Sequence, residues 1–116
     1  MTLHIELDLD PTVNFAMQQN DVPVVKTVRL RNEGAEELRE LVVHVWGEPA
    51  FMLPWSGRVA AIAPGGTYNI ELPAIELSAA FLLELTERLA GTVHAEVVLD
   101  GQTVGQLRQR IEVLAR

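Results

Sequence analysis

Near the end of the chain, Thr92 to Leu99 and Thr103 to Leu114 alternate apolar and polar residues on either side of Asp100-Gly101. Alternation about Asp-Gly is the strongest short-range signal for a β-hairpin, because both central positions of the tightest turn need a positive φ that these residues tolerate. Side-chain parity constrains the hairpin further. Val93, Ala95, Val97 and Leu99 form one face of the first strand, and Leu107, Ile111 and Val113 form one face of the second. A strict two-residue turn pairs Leu99 with Gln102 and sets Leu107 opposite His94, on the wrong face. Either a three-residue loop, Asp100-Gly101-Gln102, or a bulge near Gly105 restores agreement and pairs Ala95 with Leu107. Two strands this long need further strands to cover them.

The rest of the chain supplies them. Leu3, Ile5, Leu7 and Leu9 alternate with polar residues up to Pro11, and Val13, Phe15 and Met17 continue the two-residue period, as an interrupted edge strand would. Val24 to Arg31 reads as a strand closed by the turn Asn32-Glu33-Gly34, and Leu38 to Trp46 as a central strand, apolar on both faces at Leu41-Val42-Val43. Arg58 to Ile62 and Tyr68 to Leu72 flank the turn Ala63-Pro64-Gly65-Gly66-Thr67. Ser78 reads as the N-cap of a helix over about 79–89, with Phe81, Leu82, Leu85 and Leu89 on one face and Gly91 as its stop. Trp46 is expected in the core, as sandwiches often bury one Trp on a central strand. The expected fold is an all-β, immunoglobulin-like antiparallel sandwich of seven to eight strands with one short connecting helix. At 116 residues the chain makes one domain, which we expect to be a module of a longer protein.

Composition narrows the chemistry. There is no Cys, hence no disulfide, thiol nucleophile or thiolate metal site, and the cytoplasm is the expected compartment. The formal charge is −7 with one Lys, Lys26, which opposes attraction to nucleic-acid phosphate, and no stretch has the length of a membrane span. His4, His44 and His94 alternate with apolar residues in separate strands and read as outward or half-buried sheet residues rather than metal ligands. Glu6, Asp8 and Asp10 lack the glycine turn and terminal Glu of a calcium loop. Gly65-Gly66 has no Gly-Lys-Ser/Thr continuation, and neither serine, Ser56 or Ser78, stands in a Gly-x-Ser-x-Gly setting. We therefore expect no enzyme activity and no cofactor; a small hydrolase is the least favoured reading.

Two features retain functional weight. Arg29 with Arg31, and Arg108 with Arg110, alternate outward and could form a basic stripe, although the surrounding Glu residues favour a solvated face with weak ion pairs. In the loop from Gly47 to Gly57, Phe51, Met52 and Leu53 stand between Pro49 and Pro54, and Trp55 follows, without strand periodicity. They either plug the open end of the sandwich or anchor a partner, since aromatics and Met are enriched at interfaces. We take them as the candidate interaction surface and expect partial exposure.

Asn20-Asp21-Val22-Pro23, Leu30-Arg31-Asn32-Glu33-Gly34, Glu48-Pro49 with Phe51, Pro54-Trp55, Ile62-Ala63-Pro64-Gly65, Leu85-Thr86-Glu87-Arg88 and Val113-Leu114-Ala115-Arg116 carry a resemblance. Over essentially its whole length the chain resembles the N-terminal region of large bacterial multidomain proteins in which helicase-like nucleoside-triphosphatase segments and several domains of unknown function follow. That resemblance implies a non-catalytic accessory or protein-interaction domain of a helicase-related cytoplasmic protein, any ATP or nucleic-acid work lying elsewhere. Its partners would be the downstream domains of the same chain or another protein, and it transfers no site residue. The strand and turn pattern is also similar to immunoglobulin-like domains of bacterial surface proteins, which implies the alternative of an adhesion or carbohydrate-binding module with Trp55 and Tyr68 as a stacking platform.

Overall fold

A computed structural model describes residues 2–115. Its strands are β1 (Leu3–Leu9), β2 (Thr12–Val13), β3 (Val25–Asn32), β4 (Leu38–Glu48), β5 (Trp55–Ile62), β6 (Thr67–Glu71), β7 (Leu89–Leu99) and β8 (Gln102–Val113), with helices α1 (Phe15–Gln19) and α2 (Ala79–Glu84). One sheet has the order β1-β3-β6 and the other the order β2-β8-β7-β4-β5. Consecutive strands cross between the sheets at every step except β4 to β5 and β7 to β8, and β7, β8 and β4 pair in the manner of an immunoglobulin-like sandwich. Among the described residues the single exception to antiparallel pairing is β2, which runs parallel to β8.

Pro11 explains that exception. It ends the β1 ladder and moves the chain across to the second sheet, where its carbonyl accepts a hydrogen bond from the Glu112 amide at 2.9 Å. The alternation then stops at Val13 instead of continuing through Met17. Asn14 caps α1, its side chain accepting from the Met17 amide at 2.9 Å, so Phe15 and Met17 lie on a helical turn rather than a strand.

The hairpin satisfies parity by the bulge. Leu99 pairs with Gln102 across a two-residue turn with Asp100 at φ 49° and Gly101 at φ 77°. The register shifts between Val97 and Val98, so that Val97 faces Gly105, Val98 faces Thr103, and Val104 is the extra residue. Ala95 thereby pairs with Leu107, and Ala95, Val97, Ile111 and Val113 are buried with Leu107 packed at their margin.

The helix is shorter than its apolar spacing suggests. Ser78 caps it as expected, accepting from the Phe81 amide at 3.2 Å, but α2 ends at Glu84 and Leu85 is already extended. Leu89 begins β7, and Gly91 lies within that strand, paired with Ile111. Gly91 is required by packing rather than as a helix stop. A Cβ there would stand 2.8 Å from the Phe51 ring, and one on Gly47 would stand 2.9 Å from it, so Phe51 sits directly on the backbones of β7 and β4.

The core lies between the sheets. Leu3, Ile5, Val28 and Leu30 meet Leu41, Val43, Val45, Val93 and Val97, closed at one end by Phe51, Met52, Leu77 and Leu82. Trp46 is not among them. Val43 and Val45 point inward, so parity sends Trp46 to the outer face of the five-stranded sheet, where it is half-buried.

Candidate functional site

The loop singled out by composition divides in two. Phe51 and Met52 are fully buried, which makes them a plug and removes them from any contact surface, contrary to the expected partial exposure. Main-chain bonds explain the seal: the Leu53 amide donates to the Glu76 carbonyl at 2.8 Å, the Ser78 amide donates to the Phe51 carbonyl at 2.8 Å, and Met52 bridges to Leu77. Leu53 points away with 46% of its surface exposed, and Trp55 is half-buried at the start of β5 with its ring over Gly57. Of the four candidate residues, Leu53 and Trp55 retain accessible surface.

Burying Phe51 and Met52 leaves a notch in the sheet. The last pair between β4 and β5 is Val45 with Trp55, yet β4 runs three residues further, to Glu48, paired with β7 alone. Where β5 would have continued, the loop turns inward, and a cleft of about 260 Å³ opens beside Trp46 and Gly47. Its walls include His44, Trp46, Trp55, Ser56, Met52 and Glu96.

The polar groups around this notch are held in pairs. Trp46 stacks on His94, its cross-strand partner on β7, with ring centroids 5.0 Å apart and planes 9° from parallel. The His94 Nε2 in turn meets the Glu48 carboxylate at 2.7 Å, and the His94 side chain is only 14% exposed. His44 shares a hydrogen bond of 2.8 Å between its Nδ1 and the Ser56 hydroxyl. Glu96, paired across the sheet with His44, accepts a hydrogen bond from the Thr103 hydroxyl. The notch itself does not follow from strand periodicity, because it arises from the unequal lengths of β4 and β5. The one legible signal is parity, which places His44, Trp46, His94 and Glu96 on a common outer face once β4 and β7 are paired.

The remaining sequence candidates do not converge. His4 lies on the opposite sheet, 3.3 Å from Glu6, and among the described residues no group of three or more His, Cys, Asp or Glu side chains is arranged to hold a metal. Asp10 turns the chain after β1, accepting from the Thr12 amide at 3.1 Å. The arginine pairs form no single stripe: Arg29 and Arg31 are on β3 and Arg108 and Arg110 on β8, in different sheets, with Arg29 3.5 Å from Glu6 and Arg31 2.9 Å from Glu33. Trp55 and Tyr68 make no common platform either. Trp55 starts β5, seven residues before Ile62, whereas Tyr68 stands at the other end, next to the turn that joins β5 to β6. A larger cleft of about 380 Å³ lies between Met17 to Pro23 and Pro73 to Leu77, and no aromatic ring lines it. No helix among the described residues is long and apolar enough to cross a membrane.

No family model and no curated protein matches the chain. Among solved structures it is similar to the YadV chaperone, at 19% identity and a TM-score of 0.47 over the whole of this chain and 52% of the chaperone, so it spans about half of that protein's length. It is also similar to the superoxide reductase (neelaredoxin) from Ignicoccus hospitalis, at 15% identity and a TM-score of 0.42 over 95% of this chain and 80% of that one. Likenesses this distant transfer no function, and the site is read from its own residues.

Proposed function

We propose that this domain is a non-catalytic protein-interaction module that takes an extended polypeptide segment along the free edge of β5, with one side chain of that segment in the notch. The observation that carries the reading is the termination of β5. It is an edge strand, paired with β4 only, and its open main chain leads directly into the cleft left because β5 begins only at Trp55, opposite Val45. An unpaired strand edge offers amides and carbonyls in register for an added strand, and a neighbouring pocket gives such an addition its sequence preference. Leu53 and Trp55 flank the same place with accessible apolar surface.

The resemblance to helicase-related bacterial proteins supports an accessory role in a larger cytoplasmic protein, with downstream domains or a separate protein as the source of the segment. Hydrogen exchange with and without the remainder of that protein tests the reading: amides of β5 become protected while the free edge of β6 does not change. Protection confined to β6 or β1 would overturn it. The isolated domain is expected to hydrolyse ATP, esters and phosphate esters no faster than buffer, and a robust activity abolished by one substitution rejects the non-catalytic assignment.

A further inference from the structure

We propose that the notch selects a cationic side chain, arginine or lysine, on the segment added to β5; the inference rests on the edge-binding reading above and deepens it. The first support is the orientation of Trp46. Strands β7 and β5 lie on opposite sides of β4, and His94 of β7 covers one face of the indole at 5.0 Å. The other face is therefore turned toward the β5 side, where Trp46 lines the notch. Because Glu48 anchors His94 at 2.7 Å, the indole is braced from behind and needs little ordering when something packs on its free face. An indole face is the best aromatic surface for a cation.

The second support is charge. Glu96 is the only acidic residue lining the notch, and neither Arg nor Lys lines it. Thr103 donates to the Oε1 of Glu96, which fixes the carboxylate while leaving its second oxygen outside that bond. Arg58, the nearest cation along β5, pairs with Val42, two residues beyond Ser56, and is not part of the lining. A neutral apolar side chain entering here would desolvate the Glu96 carboxylate without compensation, and an acidic one would meet it directly. A guanidinium or ammonium satisfies it while stacking on Trp46, and the apolar rim of Ala50 and Pro54 accommodates the aliphatic stem. The formal charge of −7 steers a basic segment toward the domain as a whole.

The test uses three synthetic heptapeptides of alternating threonine and valine with arginine, norleucine or glutamate at the centre, together with N-acetylarginine amide, titrated against the domain while the indole resonance of Trp46 is followed by NMR. The arginine peptide is expected to bind about ten-fold more tightly than the norleucine peptide, and the glutamate peptide least of all. In Glu96→Gln, which keeps the acceptor for Thr103, the arginine preference falls to about two-fold, and raising salt to about 0.5 M reduces it in the wild type. Trp46→Leu, with binding followed instead at the backbone amides of β5, weakens arginine binding as well, and a thermal melt confirms that the variant is folded. Equal affinity for the arginine and norleucine peptides overturns the cation preference while sustaining the β5 edge. Binding of N-acetylarginine amide at Trp46 with none of the peptides bound sustains the cation site and overturns the edge. Absence of binding by all four probes at about millimolar concentrations overturns both.

Discussion

The two ends of the sandwich are closed by opposite means. At the end where β3 turns into β4 and β5 into β6, a single polar residue does the work: Asn32, fully buried, donates from Nδ2 to the carbonyls of Glu36 at 2.7 Å and Ile62 at 3.0 Å and accepts from the Gly34 amide at 3.0 Å. Its backbone also exchanges bonds with the second turn, donating to the Gly66 carbonyl at 3.0 Å and accepting from the Gly65 amide at 2.8 Å. At the other end an apolar plug, Phe51 and Met52, drops between the sheets. A polar clamp ties turns together without consuming strand length, so the strands there remain paired to their ends. The plug draws its loop inward and leaves β4 unpaired beyond Val45 on the β5 side. The notch is a consequence of closing an end with side-chain volume rather than with hydrogen bonds.

The largest test of that contrast is Phe51→Ala. Removing a fully buried aromatic that rests on Gly47 and Gly91 should cost about 3 to 5 kcal/mol in chemical denaturation, since neighbouring backbone cannot relax into the space. A loss below about 1 kcal/mol would show that the loop covers the end without supporting it.

Asn32→Leu addresses the other end. The substitution preserves approximate size but strands two carbonyls and one amide that Asn32 now satisfies, and should cost about 2 to 3 kcal/mol. The effect is smaller than that of Phe51 because the turns can recruit water once loosened. Fast amide exchange should appear at Gly34 and Gly65 and not at Phe51 or Ser78. Equal loosening at both ends would merge the two devices into one cooperative core.

How much of this was legible in the sequence follows the same division. Strand faces were readable wherever burial imposed alternation: β1, β3 and β7 follow it, and parity required either a three-residue loop or a bulge near Gly105, of which the fold takes the bulge, at Val104. The same parity, applied to Val43 and Val45, would have placed Trp46 outside; the general habit of sandwiches to bury a Trp overrode a local signal that was correct. Helix α2 was announced by Ser78, but its end was not, because the apolar residues Leu85 and Leu89 continue the helical spacing while packing from an extended segment and a strand. Phe51 and Met52 carried no period at all. Their burial depends on Gly91 as well as the nearby Gly47, and on pairing with residues 76–78, and only the assembled fold brings Gly91 and 76–78 near. The notch was illegible for the same reason, being a difference between two strand lengths.

Leu53→Ala separates the two halves of the loop. With its side chain turned to solvent, the change should alter stability by less than about 0.5 kcal/mol, against the several lost at Phe51 two residues earlier. If Leu53 instead contributes to binding beside the notch, the variant weakens association with the partner segment while its denaturation midpoint stays in place.

The smallest effect lies just outside the polar clamp. Arg31 stands 2.9 Å from Glu33, beside the buried Asn32, and its hydrogen bond and charge hold the Glu33 carboxyl below the ordinary carboxylate range. A carboxyl whose folded value is depressed contributes stability above its unfolded pKa of about 4.3 and loses it as the pH falls through the lower folded value. Arg31→Gln should therefore raise the Glu33 titration midpoint in NMR, and because solvent screens an exposed pair, the stability it removes at pH 7 should be too small to shift the melting temperature measurably. A clear loss of stability at pH 7 would mean that this ion pair is part of the clamp and that the end is held by charge as well as by the Asn32 amide.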